Sequence, residues 1–119
     1  MPRQPRLDTP GALHHVMGRG IDGLEIFVSK KDCDDFLGRL KDLCDKEALG
    51  IFAWDLISNH FHLLVRTGKI SLSNSMRKLL TGYVVNYNLR HKRSDHLFQN
   101  RYKSIRMLYG LHGFPAPGV

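Results

Sequence analysis

The chain is 119 residues long, enough for one domain around one modest core. It is 42% hydrophobic and 24% charged, an ordinary globular balance, and no apolar run approaches the roughly 18 residues of a membrane span. A net charge of +7 suits a polyanionic partner, because each Lys or Arg set on a phosphate releases counterions; an inert basic surface is the competing reading.

In chain order, residues 1–10 carry Pro2, Pro5 and Pro10 and read as a flexible tail. They lack the apolar stretch of a secretory signal, so a cytoplasmic location is expected. Ala12 to Gly18 reads as a strand, closed by a Gly18-Arg19-Gly20 turn. Ser29, followed three positions later by Asp32, has the capping-box pattern that opens a helix. Behind it Cys33, Phe36, Leu37, Leu40, Leu43 and Cys44 recur at helical spacing on one face, and Gly50 is expected to end the helix. Cys33 and Cys44 would lie about 16 Å apart along that helix, beyond disulfide reach, as buried free thiols. Ile51 to Ile57 and His60 to Arg66, split by Ser58-Asn59, predict an antiparallel hairpin. Gly68 to Leu72 reads as a loop. Ser71 or Ser73 can cap a second helix, whose apolar stripe is Met76, Leu79, Leu80, Tyr83, Val84 and Tyr87. A last strand is expected around Arg101 to Leu108, and residues 109–119 read as an irregular tail.

The order is strand, helix, strand, strand, helix, strand. It predicts an α+β fold of the ferredoxin-like, split βαβ kind over residues 11–108, with an antiparallel sheet and both helices on one face.

The sharpest local signal is Ser58-Asn59-His60-Phe61-His62-Leu63-Leu64-Val65. Alternation along a strand puts His60 and His62 on one face, about 7 Å apart by strand rise, and Phe61 and Leu63 on the other. Two imidazoles so placed can converge on one metal ion. The plainer reading is a pair of partly exposed or core-satisfied histidines.

The segment from Pro10 to Arg106 closely resembles the IS200-like transposase family, the Y1 or REP-associated tyrosine transposases. The stretches that carry the resemblance are Gly11-Ala12-Leu13-His14-His15-Val16, Ala53-Trp54 leading into the histidine strand, Met76 to Tyr83, and His96 to Ser104. The resemblance implies a ferredoxin-like fold, with His60 and His62 as the His-hydrophobic-His (HUH) ligands of Mg²⁺ or Mn²⁺. It also implies single-strand DNA cleavage by a tyrosine that forms a 5′-phosphotyrosine, conserving the bond energy for strand transfer. Such proteins commonly act as dimers, and an open sheet edge is a physically reasonable place for the pairing.

The family's nucleophilic tyrosine lies on a further helix, which by residue count falls around or after position 119. Leu111 to Pro115 has no helical periodicity, so that helix is expected to be absent, and Tyr109 is the residue that could stand in. Tyr83 and Tyr87, on an apolar stripe, read as core. Tyr102, between Arg101 and Lys103, reads as a stacking or phosphate-contacting group for DNA, or as an ordinary sheet residue.

Basic residues gather in the second half, where Asp95 is the one acidic residue between Ile57 and Gly110. Arg77, Lys78, Arg101, Lys103 and Arg106 are therefore candidate phosphate contacts, with Arg19 between its two glycines, for single-stranded or hairpin DNA. Three functions compete: a metal-dependent transposase, a DNA-binding remnant without catalysis, and a basic RNA-binding module. The last is weakened by the lack of an RNP-like aromatic pattern.

Overall fold

The computed structural model describes residues 11–107. A central sheet is built from β1 (Leu13–Arg19), β2 (Leu49–Ile57), β3 (His60–Thr67) and β4 (Lys103–Arg106), with α1 (Lys30–Asp45) and α2 (Leu72–His91) between them. The strand order is β2-β3-β1-β4, every neighbouring pair antiparallel. This is the expected α+β, ferredoxin-like arrangement. Among the described residues no helix is long and apolar enough to cross a membrane. The expected terminal tails, residues 1–10 and 109–119, lie outside the described residues.

Local chemistry accounts for the elements. Ser29 caps α1 by accepting from the Asp32 amide while Asp32 accepts in return from the Ser29 amide, a complete capping box. Ser71, rather than Ser73, caps α2, accepting from the Asn74 amide at 3.1 Å. The first helix stops at Asp45, earlier than Gly50, because Glu47 turns the chain at φ 62° and β2 starts at Leu49. Gly50 is thus a strand residue, opposite Arg66. The last strand is shorter than expected, and the first runs one residue further, through Arg19.

Both helices lie on the side of the sheet that carries the alternating buried residues Val16, Phe61, Leu63 and Val65. Phe36 and Leu40 from α1 meet Met76, Leu79 and Tyr83 from α2 in this core. Phe36 contacts both Phe61 and Tyr83, with centroids at 5.0 and 5.3 Å. Cys33 and Cys44 are free thiols, half-buried rather than fully buried, and burial pushes both thiols up.

A polar clamp joins the start of α1 to the end of α2. Asp32 is fully buried and receives Arg90 Nε at 2.8 Å and His91 Nε2 at 3.0 Å, while Arg90 Nη1 reaches Asp35 at 3.0 Å. Burial works to raise the Asp32 carboxyl, but the Val28 amide, His91 and Arg90 more than offset it and hold it below the usual carboxylate range.

Candidate functional site

With both helices on one side, the other face of the sheet is uncovered by any described element. In register, that face presents Leu13, His15, Met17 and Arg19 from β1, and His60, His62, Leu64 and Arg66 from β3. These are the two central strands of the sheet. Phe61 and Leu63 point the other way into the core, as the alternation predicts.

His60 and His62 sit side by side, ring centroids 5.1 Å apart and planes nearly perpendicular. His60 Nδ1 donates to Asn59 Oδ1 at 2.8 Å, which leaves the lone pair of a neutral ring on Nε2. A third histidine joins them. His15 Nε2 lies 3.0 Å from His62 Nδ1 with the two rings nearly parallel. Burial, together with the neighbouring His15 and His60 imidazoles, lowers His62 below the usual histidine value and favours its neutral form. Asp55 of β2 is directly opposite His62 on the same face, and Arg19 is directly opposite His60.

Among the described residues no three His, Cys, Asp or Glu side chains are grouped closely enough to hold a metal ion. The donor set is nevertheless suited to a divalent ion shared with an anionic ligand. Each of His60 and His62 spends Nδ1 on a neighbour and has Nε2 as its remaining nitrogen, the pattern by which an outer hydrogen bond orients a ligating imidazole.

The expected basic contacts separate into groups. Arg19 and Lys103 project on the histidine face, Lys103 opposite Met17. Arg101 stands at the adjoining corner, its guanidinium 5.8 Å from the Tyr102 ring. Arg77 and Lys78 are exposed on α2, away from the histidine face. Arg106 is opposite His14 and so shares the helix side of β4, although it is solvent-exposed at the sheet edge. Gly18 and Gly20 serve internal packing rather than an approach to a ligand: a Cβ at Gly18 would strike the Phe61 ring and one at Gly20 the Leu24 carbonyl. Arg19 ends the strand between them instead of forming the tip of a turn.

Tyr83 and Tyr87 are core residues, donating their hydroxyls to the carbonyls of Ile26 and Glu25. Burial raises both phenols, so neither is poised as a nucleophile. Tyr102 is half-buried against the core. Tyr109 lies outside the described residues.

Three concavities adjoin one another around this corner. One of about 210 Å³ is lined by Asn59, His60, Arg19 and Gln99. One of about 140 Å³ shares Arg19 and Gln99 with it and adds Asn100, Arg101 and Lys103. The largest, about 640 Å³, shares Asn100 and Arg101 and runs between α2 and the 98–102 segment. His15, Asp55 and these grooves were not found from the sequence. Alternation marks which residues of a strand share a face, but pairing His15 with His62 requires the β1–β3 register.

No curated protein sequence matches the chain. Among solved structures it is similar to a REP-associated tyrosine transposase bound to a REP hairpin, with a TM-score of 0.65 at 12% identity. That alignment covers 90% of this chain, which spans 62% of the length of the other. The sequence also matches the description "Transposase IS200 like" over residues 15–107. From His15 through β4, then, sequence and fold agree, and the chain belongs to the IS200-like transposase family.

Proposed function

We propose that this chain binds single-stranded or hairpin DNA across its open sheet face, with His60 and His62 holding Mg²⁺ or Mn²⁺ against a backbone phosphate. The observation that carries this reading is the pairing of the two imidazoles on a face whose nearest cations, Arg19 and Lys103, have no carboxylate within ion-pair distance among the described residues. A structure in the same fold was solved with a REP hairpin bound, which supports the same class of partner.

His60 would hold the ion through Nε2, with Asn59 fixing its ring, and His62 would do so through Nε2 when its Nδ1–H donates to His15. A divalent ion held there would polarise the phosphate and stabilise charge on the departing oxygen. Arg19 and Lys103 position the strand as phosphate contacts. Imidazole donors favour Mn²⁺ over Mg²⁺. The open β2 edge, with exposed Phe52 and Trp54, is a surface on which two copies could pair.

The test is fluorescence anisotropy with a DNA hairpin and an RNA hairpin of the same sequence, with and without Mn²⁺. We expect preference for DNA, tightening by Mn²⁺, and loss of the Mn²⁺ effect in His60→Ala/His62→Ala. Equal affinity for RNA would sink the DNA reading.

Binding without cleavage is the second reading, favoured by the placement of Tyr83, Tyr87 and Tyr102 off the histidine face. Incubation with the DNA hairpin and Mn²⁺, followed by a denaturing gel, decides between them. A covalent adduct that disappears in Tyr109→Phe assigns the nucleophile to Tyr109; binding with no adduct leaves a DNA-binding module. The RNA-binding alternative is disfavoured because the open face of β1 and β3 carries no Phe, Tyr or Trp.

A further inference from the structure

Asp55 is the residue of the histidine face that the proposed phosphate contacts leave unexplained. It pairs with His62 across the β2–β3 ladder, and directly opposed residues of an antiparallel pair share a face, with Cβ atoms about 4.5–5.5 Å apart. Of the strand residues on the uncovered face, which include Arg19, His60, His62, Arg66 and Lys103, Asp55 alone is acidic. It is exposed, and its carboxylate forms no ion pair with any described residue. Burial and the His15 and His60 imidazoles lower His62, whereas Asp55 works in the opposite direction, so its charge is felt at that ring. A lone carboxylate here is a liability for a face that is to hold DNA, since it repels the phosphates that Arg19 and Lys103 attract. A divalent cation placed between carboxylate and phosphate reverses that sign.

Resting on the reading of His60 and His62 as metal ligands, we propose that Asp55 is an outer carboxylate of the ion and makes DNA binding on this face conditional on the metal. Asp55 is not grouped with the histidines closely enough to be a third direct donor. Protein-bound Mg²⁺ keeps several of its waters, and such a water can donate a hydrogen bond to the Asp55 carboxylate, the hard oxygen acceptor that suits Mn²⁺ as well. The strand order divides the work: β2 carries the carboxylate, β3 the imidazoles, and β1 and β4 the cations Arg19 and Lys103. The water shell is thereby held on the β2 flank, and the β1 flank is left for the phosphate. Without the ion, the same carboxylate stands uncompensated beside the phosphate and weakens binding. Asp55 thus has opposite effects on DNA affinity in the two states, which a residue that merely supports the strand does not have.

The experiment reads two quantities on the full chain. Mn²⁺ affinity without DNA is taken from the electron paramagnetic resonance signal of the free ion. Hairpin affinity is taken by anisotropy in EDTA and again at the Mn²⁺ concentration that half-saturates the wild type. The proteins are the wild type, Asp55→Asn, and Asp34→Asn, which removes the same charge from an exposed position of α1 on the covered side of the sheet. Asp55→Asn should weaken Mn²⁺ binding roughly tenfold or more, as loss of an outer-shell partner does. In EDTA it should bind the hairpin roughly threefold more tightly than the wild type, the worth of one unit charge about 7 Å from a phosphate in water. In Mn²⁺ that advantage should vanish or reverse, while Asp34→Asn should leave Mn²⁺ affinity unchanged. Asp55→Asn protein that takes up Mn²⁺ as the wild type does, or that loses hairpin affinity in EDTA, overturns the proposal. An equal loss of Mn²⁺ affinity in Asp34→Asn overturns it too, since the effect is then one of net charge. A wild type that takes up no Mn²⁺, or whose uptake survives His60→Ala/His62→Ala, instead defeats the metal reading on which the proposal rests.

Discussion

Gly18 is directly opposite Phe61 in the β1–β3 register, between the pairs Arg19–His60 and Met17–His62 that build the histidine face. A Cβ there would lie 2.5 Å from Cε2 and 2.6 Å from Cζ of the Phe61 ring, against about 3.5–4.0 Å for an ordinary carbon contact. A phenyl edge can usually swing away, but this ring is fully buried, with Phe36 at 5.0 Å and Phe98 at 6.0 Å. Overpacking at such a site costs about 1–3 kcal/mol, while Gly→Ala in a strand returns about 0.5–1 kcal/mol of backbone entropy. Gly18→Ala should therefore lose about 1–2 kcal/mol, a fall in Tm of about 4–15 °C. Phe61→Leu removes the obstructing ring edge at the cost of a cavity. In the double variant the two losses should fall short of their sum by about 1 kcal/mol. Urea unfolding of the wild type, both single variants and the double variant, followed by far-UV circular dichroism, measures the coupling. Additivity within about 0.3 kcal/mol, or a Gly18→Ala protein as stable as the wild type, would refute the claim that the Phe61 ring excludes a side chain at position 18.

Asp32→Asn weakens the buried clamp, leaving Arg90 with Asp35 as its remaining carboxylate partner, so it should cost about 1.5–3 kcal/mol in chemical denaturation. Because the folded Asp32 pKa is depressed, its contribution is fully present above the ordinary value of 3.8 and is lost as pH falls through the folded pKa below it. The stability gap between wild type and Asp32→Asn should accordingly narrow below about pH 4. Tyr83→Phe strands the buried Ile26 carbonyl and should cost about 1–2 kcal/mol, with hairpin affinity unchanged when measured well below the unfolding transition. Lys103→Ala should lower the salt slope of DNA binding by about 1, whereas Arg106→Ala, on the other side of the sheet, should change it less; anisotropy across a KCl series reads both.

Much of the fold was legible because its signals are local. The capping box at Ser29 and Asp32 declares a helix start through two hydrogen bonds within four residues. The alternation of His60, Phe61, His62 and Leu63 declares which side of a strand is buried. What was not legible depends on contacts distant in sequence. Arg90 is one of the basic residues gathered in the second half of the chain, yet its guanidinium is engaged by Asp32 and Asp35, on the far helix. Gly50 looked like a helix stop, but Glu47 had already turned the chain through a left-handed residue that composition does not flag.

The histidine site divides along the same line. His60 and His62 are neighbours because two residues of a strand always share a face, so the pair can be found from the chain alone. His15 reaches His62 only because β1 lies beside β3 in a register that places it diagonally across the ladder, and Asp55 arrives from the opposite neighbour. That arrangement assigns the imidazoles unequal positions. His60 is oriented by its own sequence neighbour, whereas His62 depends on a partner 47 positions away. Anything that shifts β1 against β3, the Gly18–Phe61 contact above all, therefore acts on His62 before His60. The unequal support makes Gly18→Ala a perturbation of the site as well as of the fold.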